Sequence, residues 1–160
     1  VTEPVVYAQG ALAYLSVKPQ EFSKGIALLN DANLSRIAIA NPKTAPYGTA
    51  AAEALKNAEL YELLKEKFVY GESISQTVTY AMTAADIGFI AKSSLYSPQM
   101  AHFKHGINWI EVVERLYTPF DQGMVILKKG DGIEEVKAFY DFILSSEAIE
   151  ILKQFGYKVE

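Results

Sequence analysis

Two short stretches could do chemistry by exposing backbone rather than by offering a reactive side chain. Asn41-Pro42-Lys43-Thr44-Ala45-Pro46-Tyr47-Gly48 and Tyr70-Gly71-Glu72-Ser73-Ile74-Ser75-Gln76 each lead from an apolar run into a segment of helical spacing. The first turn of a helix has N–H groups without intrahelical acceptors and the positive end of the peptide dipoles, so it suits an anion. Pro46 fits the first helical position, where a missing N–H removes no bond. That register makes Ala45 the N-cap, and alanine has no side-chain acceptor, so the N–H groups of Tyr47 and Gly48 await another partner. In a rival register Thr44 is the cap and its hydroxyl takes the Tyr47 N–H. In the second stretch Ser73 and Gln76 have capping-box spacing, which leaves the N–H groups of Ile74 and Ser75 unpaired. Tyr47, Gly48, Ile74 and Ser75, with Ala45 beside them, are therefore the candidate anion contacts. The bland reading is two ordinary helix starts hydrated by water.

Other chemistry finds little support. His102 and His105 are three residues apart in a Pro/Gly-flanked stretch and lack the HExxH context of a metal helix, so they read as solvated loop histidines. Glu72, Asp86 and Asp121 are carboxylates without an evident partner nucleophile. With no cysteine there is no disulfide framework, thiolate nucleophile or Cys-based zinc site. No GxSxG elbow, P-loop or GxGxxG occurs. No catalytic residue, side-chain metal site or cofactor is expected. Trp109 reads as packing, or as an aromatic facing a ligand, and Lys128-Lys129 as a solvated strand end.

The elements that must position the two turns follow from periodicity. The chain has 160 residues, half of them hydrophobic and 21% charged, with a formal net charge of −4. That is a globular composition, and the acidic balance argues against a nucleic-acid surface. No apolar run is long enough to span a membrane. Val1-Thr2-Glu3-Pro4 is unlike a signal peptide, and the start without Met reads as a mature or truncated fragment. Strands are expected at 5–17, 36–40, 68–70, 87–91 and 122–127. Helices are expected at 26–29, from 47 to about 65, and over 74–82. Further helix follows Val136, with a break at Ser145-Ser146 and Gly156 as its terminal glycine. Residues 92–118 read as irregular. The alternation predicts an α/β fold with a parallel sheet. Both turns then lie at the C-terminal edge of that sheet, where open α/β sheets bind ligands.

At these residues the chain resembles a known family, the periplasmic molybdate-binding proteins. Residues 39–51, IANPKTAPYGTAA, are similar to that family's NPxxAPYGxAA turn, and residues 70–78, YGESISQTV, to its second anion-facing turn. Residues 85–91, ADIGFIA, resemble the strand that follows, and residues 116–123, LYTPFDQG, the return strand between lobes. The FYDFILSSEA and ILKQFGY segments resemble its C-terminal helices.

The resemblance implies a periplasmic-binding-protein-like fold in which two lobes close on a tetrahedral dianion held by neutral donors. Residues 10–118 would form the second α/β lobe, with 1–9 and 119–127 as inter-lobe crossover strands. Residues 128–160 would be helices that normally pack on the first lobe, whose motifs are not in these residues. Phe139, Phe142, Ile149 and Leu152 then need another partner, such as a neighbouring chain in a dimer or swapped assembly, or an unusual packing on this lobe. The second lobe's backbone donors map onto Tyr47 and Ile74, which makes these the leading candidates and Gly48, Ser75 and Ala45 the secondary ones. A tyrosine that some members use maps onto Ala91, so that phenolic donor is absent and Tyr47 is a candidate to compensate. The implied function is the substrate-binding component of an ABC importer, periplasmic, taking molybdate or tungstate as ligand and a membrane permease as partner. Another oxyanion such as sulfate or phosphate, or an effector-sensing domain of a transcription regulator, are the alternatives.

Overall fold

The computed structural model describes residues 2–159. Val1 and Glu160, the outer ends of the expected crossover and helical segments, lie outside the described residues.

The first strands are β1 (Val5–Gly10) and β2 (Leu12–Leu15). The single strand expected over 5–17 is thus two, broken at Ala11, and the halves enter different sheets. The reason is at Gly10: a Cβ there would overlap the Phe120 ring, so the chain passes close to an aromatic as it changes sheets. A 3-10 segment, Phe22–Asn30, buries Phe22, Leu28 and Leu29. Strand β3 (Ile37–Ala40) leads into α1 (Pro46–Asn57). The helix expected to run to about residue 65 stops eight residues early. Glu59 takes a left-handed φ of 59°, which ends the helical path before the short α2 (Tyr61–Leu64). Next come β4 (Phe68–Gly71), α3 (Ile74–Thr83) and β5 (Ile87–Ala91). The stretch read as irregular contains a three-residue strand, β6 (Trp109–Glu111). After β7 (Phe120–Met124) the chain ends in α4 (Glu134–Ile143) and α5 (Ser146–Gln154).

The main sheet has the order β4-β3-β5-β2-β6. β3 runs parallel to β4 and β5, as the alternation predicts. β2 and β6 extend this sheet antiparallel, so it is mixed. β1 and β7 form a separate antiparallel ribbon, in which Gly10 is the register partner of Phe120.

Alternation along β3 explains the two cores. Ile37 and Ile39 face one side with α1, where Ala50, Ala51, Ala54 and Leu55 are buried with Leu12, Tyr14, Ile87 and Phe89. Ala38 faces the other, with Ala81 of α3, Ala13, Leu15 and Ile90. Burial of a side chain such as Leu55 contributes about 1.5–3 kcal/mol. The alanines let α1 sit close to the sheet, and its first turn sits closest: a Cβ on Gly48 would overlap the Ala40 carbonyl.

The C-terminal helices are different. α4 buries no residue and α5 buries only Ala148. Phe139 is 65% exposed, and Phe142, Leu144, Ile151 and Phe155 are exposed beside it in the sequence pattern. Beyond α5, Gly156 has φ +77°, and Lys158 exchanges backbone hydrogen bonds with Gln9 of the ribbon at 2.7 and 3.1 Å.

Candidate anion site at two helix starts

Ala45 is the N-cap of α1, with extended backbone (φ −132°, ψ 126°), no side-chain cap and Pro46 next. The rival register does not occur. Thr44 Oγ1 donates to the Glu72 carbonyl at 3.1 Å instead of accepting from Tyr47. Among the described residues the Tyr47 N–H has no acceptor. Two of the secondary candidates do. The Ala45 N–H donates to the Asn41 carbonyl at 3.0 Å, and the Gly48 N–H to the Ala45 carbonyl at 2.9 Å. Both groups close the turn.

At α3, Ser73 Oγ accepts from the Gln76 N–H at 3.2 Å, as the spacing predicts. The reciprocal bond is displaced by one residue: Gln76 Oε1 accepts from the Glu72 N–H at 2.7 Å. The N–H groups of Ile74 and Ser75 have no acceptor among the described residues. Ile74 is half-buried and Ser75 exposed.

The turns are joined to each other. The Asn41 N–H donates to the Gly71 carbonyl at 2.7 Å, continuing the β3–β4 ladder past the strand ends. With the Thr44–Glu72 bond, this fixes the start of α1 beside the start of α3. The two helices cover opposite faces of the sheet, yet their positive ends share one edge. Asn41 Nδ2 lies 3.4 Å from both Glu72 carboxylate oxygens, and Asn41 Oδ1 accepts from the Lys43 N–H at 3.0 Å.

The Tyr47 side chain turns to the ribbon. Its ring meets Phe120 edge-on, with centroids 4.5 Å apart. Burial pushes its phenol up to about 12, so it stays neutral. Ala91 is buried at the end of β5, in register with Leu12.

The other candidate groups serve elsewhere. Asp86 Oδ2 accepts from the N–H groups of Ser35 and Arg36 at 2.8 and 2.9 Å, at the N-terminal edge of the parallel strands. Asp121 accepts from Gln9 Nε2 on the ribbon at 2.9 Å. His105 is exposed but paired, with Nε2 2.8 Å from Glu111 and its ring against Trp109. Trp109 packs on the second core. Sequence reasoning missed Phe120 and Gly10. A lone glycine between two β-prone halves was the available signal for a close approach there.

A mixed sheet with paired helix starts at one edge and a detached two-stranded ribbon defines a periplasmic-binding-protein-like fold. The chain belongs to the bacterial extracellular solute-binding protein family, whose profile matches residues 1–158. It is 40% identical over 156 residues to the molybdate-binding protein ModA of Rhodobacter capsulatus, covering 96% of this chain and 59% of that protein. To ModA of Azotobacter vinelandii it is 37% identical over 155 residues, covering 96% of this chain and 60% of that protein. The chain therefore spans about three-fifths of the length of these relatives. A solved structure of the Azotobacter vinelandii periplasmic molybdate-binding protein superposes with a TM-score of 0.86 at 28% identity, covering 98% of this chain and 68% of that one.

Proposed function

We propose that this chain carries the anion-holding second lobe of an ABC importer's solute receptor, and that its ligand is molybdate or tungstate. The observation that carries this reading is the pair of unpartnered N–H groups, on Tyr47 and Ile74, at helix starts that direct hydrogen bonds hold side by side. Ser75 adds a third donor. The ModA relatives support the ligand class.

On this reading residues 10–118 form the second lobe, with 1–9 and 119–127 as crossovers, and the β1–β7 ribbon is their paired core. Segment 128–160 belongs to the first lobe, which covers the exposed face of α4 and α5. The receptor acts in the periplasm and presents its closed form to a membrane permease. Among the described residues no helix is long and apolar enough to cross a membrane.

The chemistry follows from donors. A fully deprotonated tetrahedral dianion has only acceptors, so backbone N–H groups match it, whereas a protonated phosphate also needs an acceptor. Sulfate is also a dianion, and selectivity against it would come from cavity size. Calorimetric titration of the intact protein with molybdate, tungstate, sulfate and phosphate tests the assignment. Binding of the first two over the others is expected; preference for sulfate or phosphate would replace it with a different oxyanion receptor.

A further inference from the structure

Tyr47 touches both strands of the ribbon. Its ring packs edge-on against Phe120 of β7, with planes at 72°. Its hydroxyl lies 2.9 Å from where a Cβ on Gly10 would stand, and the Phe120 ring fills that same position. One residue thus carries an unpartnered N–H at the helix start and an aromatic ring wedged against a paired point of β1 and β7.

The chain on either side of this contact is fastened to the main sheet and α1. The Glu53 carboxylate accepts from the Thr118 N–H at 2.9 Å and from Thr118 Oγ1 at 2.8 Å. Asn57 Nδ2 donates to the Leu116 carbonyl at 2.9 Å, and the Leu12 N–H donates to the Tyr117 hydroxyl at 3.1 Å. With the Ala11 carbonyl also held by the Lys92 N–H at 2.8 Å, the strand positions left to bend between lobe and ribbon are Gly10 on one strand and Pro119–Phe120 on the other. A few element-terminal residues of this kind suffice for a hinge. A hollow of about 480 Å³, lined by Pro46, Thr49, Glu53, Thr118 and Phe120 among others, leaves room between α1 and the ribbon.

We propose that Tyr47 and Phe120 are positioning residues that couple anion contact to the angle of the ribbon. The proposal rests on the receptor reading above, in which the Tyr47 N–H meets the anion and the ribbon joins two lobes. Bending the ribbon moves Phe120 against the Tyr47 ring and shifts the first turn of α1. An anion on the Tyr47 N–H, in turn, favours one ribbon angle. The coupling is reciprocal, so affinity and closure change together. An aromatic pair that only stabilised the fold would leave them independent.

The test uses the intact protein with Phe120→Leu, Tyr47→Leu and the double variant. Molybdate affinity is read by calorimetry and closure by the ligand-induced fall in radius of gyration. Each single change is expected to weaken binding about tenfold and to reduce the compaction, with the double no weaker than the worse single. Tyr47→Phe, which keeps the ring, should recover most of the compaction lost in Tyr47→Leu. Additive losses of about a hundredfold, or parental affinity and compaction in the singles, overturn the coupling. If the leucine variants do not fold, the parent decides. The ¹⁹F resonance of fluorinated Phe120 should move with the same midpoint as the calorimetric titration, and a resonance that stays still overturns the proposal. A parent that binds no oxyanion sinks the receptor reading itself, a result distinct from a parent that binds without moving Phe120.

Discussion

The Asn41 N–H donates to the Gly71 carbonyl at 2.7 Å, one residue beyond the last β3 residue and at the last residue of β4. This bond makes two helix starts into one edge. α1 and α3 pack on opposite faces of the sheet, so without it their first turns could diverge. The Thr44 hydroxyl on the Glu72 carbonyl adds a second tie, and it also explains why Thr44 does not cap α1. The Tyr47 N–H is left open while Thr44 Oγ1 turns to the Glu72 carbonyl and Thr49 Oγ1 to the Pro42 carbonyl.

Ile74→Pro removes one proposed donor while keeping the backbone angle of a first helical turn. Anion binding by the intact protein should weaken by roughly 1–3 kcal/mol, with α3 intact by circular dichroism. Calorimetry giving parental affinity would exclude the Ile74 N–H as a contact.

Gly48→Ala should be costly because the new Cβ meets the Ala40 and Asn41 backbone rather than a flexible side chain. Urea denaturation should show a loss of about 1–3 kcal/mol, with weaker anion binding as the α1 start is pushed off β3. Unchanged stability would contradict the close approach described here.

Tyr14 is 3% exposed, and its hydroxyl has no hydrogen-bond partner among the described residues. Burial first, and the neighbouring Tyr117 second, push its phenol well above the usual tyrosine range. Tyr14→Phe removes a desolvated hydroxyl and keeps the edge-on contact with Phe89 at 5.0 Å. Stability by urea denaturation should be unchanged or higher by about 1 kcal/mol. A clear loss would mean that the hydroxyl has a partner.

Burial raises the Asp86 carboxyl, but the N–H groups of Arg36 and Ser35 and the Ser35 hydroxyl outweigh it, leaving it below the ordinary value. A lowered folded-state pKa stabilises above the unfolded value, and that contribution is lost as pH falls through the folded value. Asp86→Asn should therefore lower stability at neutral pH and flatten the acid limb below about pH 4 in urea denaturation. Parallel curves for parent and variant would contradict this role.

An isolated polypeptide of residues 1–160 should self-associate through Phe139, Phe142, Ile151 and Phe155, which are exposed on α4 and α5 and at the α5 end. On the proposed two-lobe reading it should also bind molybdate weakly, because only one lobe's donors would be present. Sedimentation and calorimetry check both; a tight-binding monomer would contradict the two-lobe account.

What could be read from the sequence was local. Pro46 after a non-capping alanine, and Ser73 three residues before Gln76, specify their helix starts within a single turn. The β3, β4 and β5 strands announce themselves as short apolar runs between helices. The antiparallel β2 and β6 were hidden because pairing depends on where a chain returns, and β6 has only three residues. Glu59 gives no glycine signal for its left-handed turn. The status of Ala45 and Gly48 was not legible either, since whether their N–H groups are used depends on how tightly the turn closes. Phe120 against Gly10 and Tyr47 joins residues distant in sequence, where no spacing rule applies.

Amide NMR on the ¹⁵N-labelled intact protein, titrated with molybdate, looks straight at the hydrogens in question. The Tyr47 and Ile74 amide protons should shift downfield together, following the calorimetric curve, while those of Ala45 and Gly48, already donating within the turn, move less. Binding that leaves the Tyr47 and Ile74 amides unmoved would place the anion elsewhere.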